Sequence, residues 1–171
     1  MNASDQALSV FATGLKNAHA MEKQALSIMT PQVKRIENYP DMRARIEQHI
    51  SETEGQIDRL DRILARIEEQ HSGFKDMVLS AGGSMAALSH AAAGDEILKD
   101  TFANYAFEHY EIAAYKSLLQ LSDQIADGDI STLLQQTLDE EERMAQWIND
   151  NIGMVTAQYV ALRESEQTAK R

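Results

Sequence analysis

Apolar residues in this chain recur at alternating steps of three and four, and strict alternation is absent, so the pattern predicts an all-α protein. Four long segments carry it. The first predicts a helix over 5–37, capped by Ser4 or Asp5, along the seam Leu8, Phe11, Leu15, Ala18, Glu22, Ala25, Met29. Pro31 is expected to kink or interrupt it, because proline lacks an amide hydrogen and crowds the preceding turn. Asn38-Tyr39-Pro40-Asp41 reads as a turn. A second helix is expected over 40–70, with the centre line Ile46, Ile50, Thr53, Ile57, Leu60, Leu64, Ile67. A mostly polar line, Arg45, His49, Glu52, Gln56, Arg59, Ile63, flanks it and turns inward only if the helix is contacted from two sides. The third helix is expected over 95–126, with Asn104, Glu108, Glu111, Tyr115, Leu118, Ser122, Ile125 in line. The fourth is expected over 130–153, with Ile130, Leu134, Leu138, Glu141, Ala145, Ile148, Ile152. Gly153 is expected to bend it, residues 155–166 to form an additional helix or a subunit contact, and 167–171 to fray. Residues 74–93, with Gly82-Gly83 at their centre, read as a short helical insert and the most mobile part. At 171 residues the chain is expected to form a single domain, 1–171.

Glutamates interrupt these seams where apolar residues belong. Glu22 and Glu141 each have apolar neighbours one turn either side, and Glu108 and Glu111 share a helix face about 60° apart. An unpaired buried carboxylate costs several kcal/mol, so something must compensate. The interval from Glu22 to Glu52 is 52 − 22 = 30 residues, and that from Glu111 to Glu141 is 141 − 111 = 30. Two helix hairpins therefore offer one carboxylate per helix at equal spacing, as bundles with a metal pair in the core do. The candidate inward set is Glu22, Glu52, Glu108, Glu111 and Glu141, with His49 one turn before Glu52. Pairing with basic residues competes with this reading, most of all for Glu52, which has Arg45 and Arg59 nearby. Glu140 and Glu142 read as flanking residues. His109 shares the other apolar face of the third helix with Leu98, Phe102, Tyr105 and Ile112, and is expected to be a packed, satisfied core histidine. Tyr115, four residues after Glu111, is within reach of a carboxylate, though packing is its expected job.

The composition narrows the chemistry. With no cysteine, a metal would be held by oxygen and imidazole, which suits iron, manganese or zinc. A net charge of −11 argues against nucleic acid and for attraction of cations. No apolar run of about 18 residues suggests a membrane span. The start, Met-Asn-Ala-Ser-Asp-Gln, lacks a secretory pattern, so a cytoplasmic location is expected.

Four stretches resemble the YciE/YciF family of ferritin-like bacterial stress proteins. They are Ala20 to Gln24, His49 to Gln56, Glu108 to Tyr115 and Thr137 to Glu142. The resemblance implies a four-helix bundle with an added helix, a homodimer, and a dinuclear metal site at Glu22, Glu52, Glu108, Glu111 and Glu141. For Glu52 it adds more than the periodicity does. The wider di-iron pattern has Glu-x-x-His on two helices; here Gly55 and Met144 stand at those histidine positions. The expected cofactors are two divalent ions, iron ahead of manganese, acting on a small oxidant, oxygen or peroxide. The competing expectation is a metal-free or weakly metallated stress protein that works through its dimer surface.

Overall fold

The structure, a computed structural model, describes residues 3–70, 93–125 and 128–171. Among the described residues four helices form: α1 (Ala3–Arg35), α2 (Pro40–Gln70), α3 (Glu96–Ile125) and α4 (Gly128–Glu164). No strand occurs among the described residues. The expected insert at 74–92 lies outside the described residues.

α1 packs on α2 and α3, and α4 packs on α2 and α3. The paired residues give the directions. His19 meets Asp61 across α1 and α2, and Gln32 meets Asn104 across α1 and α3 while Tyr115 meets Glu22. Arg59 meets Thr137 across α2 and α4, and Lys116 meets Glu142 across α3 and α4. Every neighbouring pair is thus antiparallel, and α2 and α3 run parallel on the diagonal. The chain leaves α2 at one end of the bundle and enters α3 at the other, the connectivity of a ferritin-like bundle with one long crossover.

The predicted seams form the core, but the core is divided. One apolar half gathers Phe11, Leu15, Leu60, Ile63, Ile112, Leu118 and Leu134; the other gathers Met29, Tyr39, Ile46, Ile97, Met144 and Ile148. Between them, at mid-height, lie buried polar residues from all four helices: Glu22, His49, Gln56, Glu108, Glu111 and Glu141. α2 is contacted from two sides, so its polar line turns inward: Arg45, His49, Gln56, Arg59 and Ile63 are all buried.

Several boundary expectations are corrected. α1 continues through Pro31 without interruption and ends at Arg35, two residues short of the expected end. α4 runs through Gly153 as one helix of 37 residues, so residues 155–166 supply its last turns and form no separate helix. Those turns are held by packing, since Val155, Tyr159 and Leu162 join the core half around Tyr39, Met42 and Ile97. The final residues do not fray. Glu166 takes a left-handed conformation (φ 58°), and the chain turns back over the α1–α2 turn. Lys170 accepts from the Ile97 amide at 2.9 Å, Thr168 accepts from Asn38 Nδ2 at 2.7 Å, and Ala169 accepts from the Tyr39 hydroxyl at 2.5 Å. Burial pushes the Tyr39 hydroxyl up to about 12, with Tyr159 adding to the shift, so it stays a donor. Tyr39→Phe should cost about 1 kcal/mol, the usual worth of one such bond, and lower the melting temperature by about 2–4 °C. An unchanged thermal transition would mean that the tail contributes nothing to stability.

Candidate metal centre

Four side chains meet at mid-bundle. His49 of α2, Glu108 and Glu111 of α3, and Glu141 of α4 each offer a donor atom, and these atoms all lie within 4.8 Å of one another. All four are buried. Helix geometry explains the convergence: Glu108 and Glu111 are one turn apart on one face, while His49 and Glu141 reach across from the antiparallel partners. Glu22 of α1 is fully buried beside them, close enough that its charge acts on Glu111.

The hydrogen bonds sort these groups. His49 Nδ1 lies 2.9 Å from Glu52 Oε2, and its Nε2 faces Glu108 Oε2 at 3.2 Å and Glu141 Oε2 at 3.5 Å. The Tyr115 hydroxyl donates to Glu22 Oε1 at 2.5 Å, and Gln56 Nε2 donates to Glu141 Oε1. Five carboxylate oxygens are left buried with no hydrogen-bond partner: Glu22 Oε2, Glu108 Oε2, both oxygens of Glu111, and Glu141 Oε2. Buried polar atoms are almost always paired, so five orphans in one layer call for a bound cation or for protons shared among the carboxyls. They are oxygen donors with one imidazole, a hard donor set able to hold a metal cation.

The charges respond accordingly. Burial, reinforced by Glu141, pushes the Glu22 carboxyl well above its usual range, and burial with Glu22 and Glu141 does the same to Glu111. Burial raises Glu108 to about 8 against the pull of His49. For His49, burial favours the neutral ring, but Glu108, Glu141 and Glu52 outweigh it and hold the imidazole well above its ordinary value. Glu141 is lowered despite its burial, because His49, Glu108 and Gln56 stabilise the anion. Without metal, these shifts favour a charged His49–Glu141 pair and the neutral forms of Glu22, Glu108 and Glu111.

Glu52 is not brought into the cluster. Its carboxylate is half-buried and engages Arg45 Nη1 at 3.1 Å, Gln48 Nε2 at 2.9 Å and His49 Nδ1. Burial would raise it, but His49 and Arg45 bring it down to about 2. That arrangement suits a carboxylate that orients a ligating histidine through its far nitrogen. Glu22, Glu108, Glu111, Glu141 and His49 do come together.

The structure also corrects two neighbours. Glu140 does not sit on the flank; it is buried and paired with Arg59, which also donates to Thr137 Oγ1 at 2.9 Å. His109 is exposed instead of packed, resting edge-on against Tyr105 with ring centroids 4.5 Å apart. Phe102, on the same face, is 51% exposed, while Ile112, Leu98 and Tyr105 of that stripe do pack into the core. Gln56 was missed as a site residue; its place on the line of His49 and Glu52, four residues after Glu52, was the available signal. At the two positions where the wider pattern has histidine, Met144 is packed into the apolar core, and a Cβ at Gly55 would meet Arg59 Nη1 at 3.6 Å.

Fold and site together define an all-α helical bundle with a buried His/Glu cluster able to hold a metal. Residues 6–161 match the family described as "Domain of unknown function (DUF892)", and the chain belongs to that family. It is 27% identical over 144 residues to Protein YciF of Escherichia coli (strain K12), covering 78% of this chain and 82% of that protein. A crystal structure of a protein from Xanthomonas campestris pv. campestris superposes with a TM-score of 0.73 at 28% identity, covering 94% of this chain and 98% of the other. Among the described residues, no helix is long and apolar enough to cross a membrane.

Proposed function

We propose that this chain is a ferritin-like stress protein that holds two metal ions, iron ahead of manganese, and uses them on oxygen or peroxide. The observation that carries the reading is the set of five buried carboxylate oxygens without a hydrogen-bond partner, four of them on the residues that meet His49. His49, Glu22, Glu108, Glu111 and Glu141 would hold the ions. The four carboxylates, once ionised, balance two divalent cations. When bound, the ions supply electrons to the oxidant one at a time.

The chain's own residues do the rest. Tyr115 and Gln56 each tie up one oxygen, of Glu22 and Glu141, and leave the other free. Glu111, neither of whose oxygens is tied up by a tyrosine or glutamine, would hold metal as a carboxylate ligand. Glu52, held by Arg45 and Gln48, orients His49. Glu108, raised to about 8, holds a proton at neutral pH and must release it when metal binds. The family resemblance supports a homodimer as the working form.

The test is an anaerobic iron(II) titration followed by peroxide or oxygen. Binding should saturate near about two ions per chain, as a two-metal site requires, and oxidation should produce iron(III) absorption in the near ultraviolet. Glu22→Ala and Glu141→Ala remove donors from opposite hairpins, and each should suppress both. Stoichiometric binding with no oxidation beyond that in buffer would remove the redox role and leave a metal-binding bundle.

A further inference from the structure

Beside the carboxylate layer, five side chains form a continuous row of contacts between α2 and α4. Arg59 Nε donates to Thr137 Oγ1 at 2.9 Å, and the same guanidinium pairs with Glu140. Glu140 Oε2 also accepts from Gln56 Nε2 at 3.2 Å, and that nitrogen donates to Glu141 Oε1. Helix spacing makes the row possible. Gln56 and Arg59 are three residues apart on α2, while Glu140 and Glu141 lie three and four residues after Thr137 on α4, so each set shares one face. All five side chains are buried.

Gln56 is the link that needs support. A glutamine amide donates through its nitrogen and accepts through its oxygen, but Gln56 Oε1 is buried without a partner. Its polar contacts are therefore the two carboxylates alone, Glu140 and Glu141. Glu141 is the group being held, which leaves Glu140 as the anchor outside the metal layer. Glu140 is in turn fixed by Arg59, and Arg59 by Thr137. Stability is a weak reason for such a pair, because apolar residues of similar volume often serve as well as a buried ion pair.

We propose that Arg59 and Glu140 are positioning residues of the metal centre, acting through Gln56. By fixing which way the Gln56 amide faces, they keep Glu141 Oε1 occupied and leave Oε2, 3.5 Å from His49 Nε2, as the oxygen available to a metal. The proposal rests on the metal-centre reading and adds to it two residues that touch no ion. Partners of this kind change metal affinity by about 10–100-fold when removed.

Arg59→Met alone strands a buried carboxylate and risks the fold, so the test compares two double variants that both lack the ion pair. Arg59→Met with Glu140→Gln keeps an acceptor for Gln56; Arg59→Met with Glu140→Met does not. Manganese(II) is titrated into the metal-free proteins, with the free ion followed by its electron paramagnetic resonance signal. The Glu140→Gln double should bind close to wild type, and the Glu140→Met double about tenfold or more weakly. In the metal-free proteins, the Gln56 side-chain nitrogen resonance should stay near its wild-type position in the first double and move in the second. Equal manganese affinity in the two doubles, or an unmoved Gln56 resonance in the second, overturns the proposal, because loss of the ion pair alone would affect both doubles alike. Wild-type protein that takes up no manganese overturns the metal-centre reading and this proposal together, whereas equal uptake by all three proteins overturns this proposal alone.

Discussion

Iron(II) or manganese(II) added to the metal-free protein is expected to raise its melting temperature by roughly 10 °C. A ligand about a thousandfold above its dissociation constant adds about 4 kcal/mol to the native state, and a chain of this size shifts by about 2–4 °C per kcal/mol. Glu111→Ala removes both of the unpartnered oxygens of one residue and should abolish most of the rise. The control is Glu54→Ala, on the exposed side of α2, which should leave the rise intact. Thermal scans with and without metal decide the matter, and equal rises in wild type and Glu111→Ala would sink the metal centre.

The second large effect concerns the metal-free protein and pH. Burial raises Glu108 from its ordinary 4.5 to about 8, and burial raises Glu22 and Glu111 as well. A raised native value gives stability that is present below the unfolded value and lost as pH climbs through the native one. Between about 4.5 and about 8 the metal-free protein should therefore lose on the order of a few kcal/mol through Glu108 alone. His49, also raised, contributes in the same direction, its stabilisation present below about 6.5 and lost as pH rises. Glu52, lowered to about 2, and Glu141, also lowered, act oppositely: their contribution is present above the ordinary carboxylate value and lost as pH falls. The optimum should then lie in mild acid. Glu108→Gln combined with Glu111→Gln replaces two groups that must stay neutral, so the double variant should be the more stable at neutral pH. Denaturant unfolding across the pH range measures this. A wild type that is flat from mild acid to pH 8, or a double variant that is less stable at neutral pH, would mean that these carboxylates are paired with basic groups. Metal should reverse the trend, because its ligands must lose protons to bind, so affinity should rise with pH.

The periodic seams of α1 and α4 already show the fold class and the positions of Glu22 and Glu141, because a helix repeats its inward face every three or four residues and a polar residue in that row is visible without coordinates. Glu108 and Glu111 are visible for the same reason. Periodicity does not show how each helix is rotated about its neighbours. On α2 the centre line and the polar flank are both buried, because α1 covers one and α4 the other. That two-sided contact puts His49 into the cluster and Gln56 beneath Glu141, and it buries Arg59 against Glu140.

Other features depended on contacts distant in the chain. Gly153 and Pro31 are weak helix positions, yet both helices continue through them; for α4, the turns beyond Gly153 are packed against Tyr39 and Ile97. The tail at 167–171 has no pattern of its own and is ordered by the Tyr39, Asn38 and Ile97 groups it bonds. By itself, the sequence determined an all-α bundle and a row of glutamates at core positions, because those follow from local helical geometry and the cost of burying charge. The tertiary structure decided which of them face one another. Glu52 differs from Glu22 in this respect: the helix rotation that carries His49 inward leaves Glu52 beside Arg45, whose charge is a nearer partner than the centre of the bundle.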